Sequence, residues 1–325
     1  MDLAAAVEQG DIDELVRLVD GLCATREWEA LSELRERCQR AFERGRQLWP
    51  VATHAEYRLA LEAPGPFAAS VLVEGTGRFA LGPLPEVAAS THEWSELEPH
   101  LTSGPSAVLT AHERVVRGED LTGIELPGPP VLELPLRLQS WEPQYSLAEY
   151  RHDKADFPAP AAPHFEAADL PSVSPPPRRD GDAVRALLDL ARAWTSGSEG
   201  RADAIAVEGT ALDAIAALGL ERARIAELTP AAALATMAWT AASGGAHGRR
   251  PGAAAGRFGA WWTAAALTDS LEPWPADADA LGDATSRLRW FVFDSHEPET
   301  GWSLHLAVGD TQHGCAWAVA AVDSA

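Results

Sequence analysis

Lysine is nearly absent: Lys154 stands alone beside 25 arginines. A Schiff-base or lysine-relay mechanism would rest on that one residue. Cysteine is also scarce, and Cys23, Cys38 and Cys315 are too scattered for a disulfide framework or a C-x-x-C metal or redox pair, which points to a reducing compartment. No apolar run reaches the roughly 20 residues that span a bilayer. The chain opens with acids at Glu8, Asp11, Asp13 and Glu14, where a signal peptide would have a basic start and an apolar run, so a cytoplasmic protein is expected. Positive charge is in deficit overall: 48 acidic against 26 basic side chains give a formal charge of −22. That excludes simple electrostatic attraction to nucleic acid or to an anionic membrane.

Catalytic signatures are missing too. There is no G-x-S-x-G elbow, no phosphate-binding G-x-x-x-x-G-K loop and no kinase signature set. Gly75-Thr-Gly77-Arg-Phe-Ala80 has dinucleotide-fingerprint spacing, but Pro83 and Pro85 would break the helix that must follow it, so a glycine-rich corner is expected instead. The ten histidines include His54-Ala-Glu56, His92, His100 and His112, and none has a partner at metal-binding spacing. Carboxylates such as Glu93, Glu96 and Glu98 are near one another because the chain is acidic, which marks no acid/base pair. We therefore expect no catalytic residues, no metal site and no cofactor.

What is present is enough apolar sequence for two packed cores, with 46% of 325 residues hydrophobic. Seven prolines between 158 and 177 mark an extended linker and divide the chain. The expected organisation is a helical domain over 1–157 with a proline-rich strap at 124–150, a linker over 158–180, and a domain over 181–325. In the first half, Ile12, Leu15, Val16, Val19 and Leu22 recur at helical spacing. Trp28, Leu31, Leu34, Cys38 and Phe42 do the same, as do Val51, Ala55 and Leu59, predicting antiparallel helices. In the second half, helices predicted at 182–194 and 211–218 alternate with strands at 204–207 and 223–228, and Thr229-Pro230 reads as a cap and first turn. Residues 289–293 and 302–308 read as paired strands, while 315–321 fits either a third strand or a closing helix. The fold class is α+β or α/β, mostly helical, with helical hairpins at the N-terminal end and a C-terminal α/β domain holding a small mixed sheet.

Twelve tryptophans against three tyrosines is an uncommon balance. The pair Trp261-Trp262 could form a stacking platform, but Phe258, Trp262 and Ala265 share one helix face, the pattern of a core stripe. The sharpest anomaly is charge: Leu228 to Thr268 contains no acidic residue, yet includes Arg249, Arg250 and Arg257. The loop from Ser243 to Pro251 sets Arg249 and Arg250 against a helix N-terminus, where cations are disfavoured, so an anion should lie nearby. It is either a small anionic ligand held by His247, Gly248, Arg249, Arg250 and Arg257, or the protein's own carboxylate. Gly252, Gly256 and Gly259 lie on one side of the second helix, so close packing against Ala231–Ala242 is expected in both cases.

Several stretches together resemble a two-domain family of actinobacterial proteins of unknown function: His54-Ala-Glu-Tyr-Arg-Leu-Ala-Leu-Glu-Ala-Pro64, Gly77-Arg-Phe-Ala-Leu-Gly-Pro83, Ala111-His-Glu-Arg-Val115, Leu138-Gln-Ser-Trp-Glu-Pro143 and 243–262. The resemblance implies a bacterial cytosolic protein and carries no activity. The functional expectation is a non-enzymatic interaction or regulatory protein with a protein partner, the alternative being a small-anion or nucleotide-binding protein, a pure binder or an enzyme, that uses the 243–257 loop.

Overall fold

The computed structural model describes residues 2–172, 176–294 and 301–324. They form two compact units, one of residues 1–132 with 147–157, the other of 133–146 with 158–325. The segment expected as a strap over the helices is thus divided between the units.

The first unit is helical. It contains α1 (Leu3–Gln9), α2 (Ile12–Thr25), α3 (Trp28–Glu43), α4 (Trp49–Glu62), α5 (Gly65–Ser70), α6 (Leu84–Ala89), α7 (Trp94–Leu97) and α8 (Pro105–Val116). A two-stranded ribbon joins β1 (Glu149–Tyr150) to β2 (Ala155–Asp156). The local signals explain the boundaries. Asp11 caps α2 by accepting from Glu14 N at 3.1 Å, and Arg26 ends the helix in the left-handed region at φ 58°. The periodic residues Leu15, Val19, Leu31, Leu34, Cys38, Val51, Ala55 and Leu59 meet in one core. The Gly75–Ala80 stretch is irregular chain between α5 and α6, with no helix opening at Gly77.

The second unit holds β3 (Glu166–Asp169), α9 (Asp182–Leu190), α10 (Arg192–Gly197), β4 (Arg201–Glu208), α11 (Ala211–Ala217), β5 (Arg222–Leu228) and α12 (Pro230–Ala242). It continues with α13 (Ala253–Leu267), α14 (Ala278–Arg287), β6 (Arg289–Asp294), β7 (Trp302–Asp310) and β8 (Cys315–Asp323). Its sheet has six strands in the order β3-β5-β6-β7-β8-β4, and every pairing among the described residues is antiparallel. The fold is α+β, and the mixed sheet expected from the sequence is corrected. The run β4-α11-β5 imitates a parallel crossover unit, but β4 and β5, consecutive in the chain, sit four places apart in the sheet, so they never pair. The segment at 315–321 is a strand. Within the expected linker, Glu166–Asp169 is the sheet's edge strand and Arg178 bridges Ala206, while residues 173–175 lie outside the described residues.

Side-chain alternation gives the sheet two faces. Ile205, Val207, Ala307, Ala316 and Ala318 pack against Ala211, Ala214 and Ile215 of α11. The opposite face carries α9 on β4 and β8, and α12 on β5 and β6, with α13 against both helices. Thr229 caps α12 by accepting from Ala232 N at 3.1 Å, and Pro230 occupies its first turn. The α12–α13 approach depends on Gly256. A Cβ there would overlap Ala238 O and stand 2.8 Å from the Ala242 methyl. Alanine gains about 1 kcal/mol over glycine in a helix interior, whereas overpacking costs about 1–3 kcal/mol. Gly256→Val, larger again and β-branched, should lower stability by about 2 kcal/mol, read as a reduced urea midpoint with an unchanged slope.

Candidate binding cleft

Arg257 of α13 lies in the core, its side chain 0% exposed. Its Nε donates to Glu142 Oε2 at 2.7 Å and one Nη to Glu142 Oε1 at 2.8 Å, a bidentate pair. Two further donors reach the carbonyls of Pro135 and Arg137, each at 2.9 Å. Glu142 also accepts from Trp261 Nε1 at 2.9 Å, Tyr145 OH at 2.6 Å and Gln139 N at 2.9 Å. Burial by itself would raise the Glu142 carboxyl. The hydrogen bonds and charge of Arg257, with Tyr145 and Gln139, outweigh burial and hold it below its ordinary value. Burial and the Glu142 charge push the Tyr145 hydroxyl well up. Four of the five Arg257 N–H donors are engaged within this network, and full burial keeps the side chain from any ligand in solvent.

The loop between α12 and α13 has an internal anion as well. Asp323, 1% exposed, accepts from Ala246 N at 2.7 Å and from Ser198 Oγ at 2.9 Å. Gly245, at φ 69°, permits this, since a Cβ would overlap the Asp323 carboxylate and crowd Trp194. Trp194 donates to Ser243 Oγ at 2.7 Å. Gly248 folds against Gly244 O and Ala193 O. His247 and Arg249 are exposed, while Arg250 is half-buried and, like Ala253 and Ala254 at the start of α13, already has an interaction. The five residues expected to share an anion are therefore not convergent: Arg257 is in the core, and His247 and Arg249 point to solvent. Trp261 belongs to the Glu142 network, and Trp262 packs on Phe258 and Trp274, with centroids 5.9 and 5.0 Å apart.

The largest concavity described in this unit is elsewhere, a cleft of about 760 Å³ between α12, the 159–165 segment and the ends of β6 and β7. Strand geometry opens it. The β6–β7 ladder stops at Val292↔Leu306, yet β6 continues along β5 to Asp294 and β7 continues along β8 from Trp302. The two strands therefore part, and the half-buried Trp302 and His305, with the buried Phe293 and Leu304 behind them, line the cleft there. One wall is the alanine face of α12, with Ala231, Ala232, Ala235 and Trp239; the other includes Pro160 and Pro163. Trp239 and Trp302 stack with centroids 4.9 Å apart and planes 26° apart. Trp239 Nε1 is shielded from solvent and has no hydrogen-bond partner among the described residues. His305 is the one ionisable residue among the described lining.

Sequence reading missed this cleft because its two tryptophans lie 63 residues apart in different kinds of element. One available signal was the acid-free run itself, which supplies its α12 wall. Among the described residues there is no group of three metal-ligating side chains, and no helix is long and apolar enough to cross a membrane. No curated protein and no solved structure matches the chain. A family model described as a family of unknown function, DUF6183, matches residues 13–325. Spanning both units, that match makes the chain a member of the DUF6183 family.

Proposed function

We propose that the protein is a non-enzymatic interaction protein whose second unit receives an uncharged, apolar segment of a partner protein in the 760 Å³ cleft. The observation that carries this reading is the unpaired Trp239 indole N–H beside the Trp239–Trp302 stack. An unsatisfied buried donor costs about 1–3 kcal/mol, and a rotation of the indole on binding would bring it to a backbone carbonyl of the bound segment. The stacked rings offer rigid apolar area of the kind that dominates interface hot spots. The lining supports an uncharged occupant: 23% of the chain is charged, whereas His305 is the only ionisable group among the described residues of the cleft.

The test is capture from native lysate with tagged wild type and Trp302→Ala, followed by calorimetry on the purified partner. Removing an aromatic anchor should weaken the complex by about 2 kcal/mol or more, at least tenfold in Kd. A partner bound equally by both proteins sinks the cleft assignment. Turnover of a small molecule by the pure protein, with no stable complex, sinks the non-enzymatic reading.

A further inference from the structure

The first unit has a pocket of its own, of about 260 Å³, lined by Trp49, Pro50, Tyr57, Phe79, Leu81 and Asp153 among others. Trp49 and Phe79 form a continuous aromatic wall, with centroids 4.4 Å apart and planes 47° apart. Tyr57, only 2% exposed, lies deepest, and its hydroxyl is held by donation to the carbonyl of Arg151. Phe79 is 58% exposed, unusual for a large aromatic residue with no structural demand to stand at the surface. The guanidinium carbon of Arg78 lies 5.5 Å from the Phe79 centroid, so the chain already sets a cation against this ring.

Charge narrows the ligand. This unit carries 25 acidic and 13 basic side chains, and the pocket has a carboxylate, Asp153, but no lysine or arginine among its described lining. His54 is paired with Asp20 at 3.1 Å, and His152 with Asp153 at 3.7 Å. An ammonium group with three N–H donors would have to draw on Asp153, Thr53 and the lone pairs of the Tyr57 hydroxyl, whereas Trp49, Pro50, Phe79, Ala80 and Leu81 offer only aromatic and apolar faces. A methylated ammonium needs no acceptors; it needs aromatic faces and a negative field. The volume is below the roughly 300–1,000 Å³ of sites for drug-sized molecules, and so suits a headgroup. We propose that this pocket binds a methylated ammonium cation, carried by a small molecule or by a modified lysine side chain.

The test uses the full chain and follows the Trp49 indole resonance by NMR, assigned by its loss in Trp49→Phe. Choline and a blocked tripeptide with Nε-trimethyllysine are titrated at constant ionic strength, with 3,3-dimethyl-1-butanol as the neutral isostere of choline. Saturable shifts with either cation, at least tenfold stronger than with the alcohol, are the expected result. Choline alone points to a small-molecule ligand, and the peptide alone to a modified lysine. Phe79→Leu keeps apolar bulk at an exposed position and should weaken cation binding about three- to tenfold; Asp153→Asn should weaken it in the same direction. Equal binding of the alcohol, or no saturable shift with any probe, overturns the proposal.

Discussion

Glu142→Ala is expected to destabilise the second unit by about 3–5 kcal/mol, because it leaves the Arg257 guanidinium buried without its counter-charge. The same substitution strips Tyr145 and Trp261 of their acceptor. The effect should be read by urea unfolding monitored through tryptophan fluorescence. Arg257→Ala should cost a similar amount, since it leaves a buried carboxylate. The informative variant combines Glu142→Leu with Arg257→Met. Removing both charges together avoids the isolated ion, so the double variant should be more stable than either alanine variant. A double variant that instead loses the sum of the two single losses would show that the residues do not act as a pair.

The pair also sets a direction for pH. Glu142 is held below its ordinary value in the folded protein, so its contribution is present in full above the unfolded carboxyl value of about 4.3. It is lost as pH falls through the lower folded value. Glu56 works in the opposite sense. Burial raises its carboxyl, with Gly77 N and Gln39 opposing, so its protonation favours the fold as pH falls. Acid unfolding below about pH 4 should therefore be steep in wild type and shallower in Glu142→Ala.

The helices of the first unit were legible because each carries its own instructions. Leu15, Val19 and Leu22 mark a buried stripe, Asp11 supplies a cap, and both signals lie within one segment. Thr229-Pro230 and the glycine face of α13 were legible for the same reason. Sheet connectivity was not, because the pairing of 224–228 with 290–294 is a property of two distant segments and hydrophobic periodicity does not name a strand's neighbour. The acid-free stretch shows the boundary well. Its missing carboxylates go with the burial of much of α12 and α13, but the acids that serve the stretch lie far along the chain: Glu142 is 115 residues from Arg257 and Asp323 is 77 from Ala246. Nothing local in either segment identifies the other. The cleft was harder still, since it arises from the divergence of β6 and β7, a backbone feature without a composition of its own.

Trp194→Ala is the second large effect expected, about 3–5 kcal/mol, and its cause is distinct from the ion pair. Trp194 is 0% exposed, so truncation removes a large buried ring and leaves a cavity that its surroundings fill only in part. It also removes the donor to Ser243 Oγ at the end of α12. Ser243 still donates to Thr240 O at 3.0 Å, so the hydroxyl is not orphaned and most of the loss should come from packing. Trp194→Phe separates the two contributions. It keeps most of the ring volume and lacks the N–H, so it should cost about 1–2 kcal/mol. The indole also borders Gly245, whose loop amide at Ala246 holds Asp323. Hydrogen exchange should therefore show the Ala246 amide losing protection in Trp194→Ala while the amides of α2 and α4 in the other unit keep theirs. Unchanged protection at Ala246 would mean that Asp323 fixes the loop without the tryptophan. In that case Asp323→Ala, which removes the acceptor for Ala246 N and Ser198, should release the loop by itself.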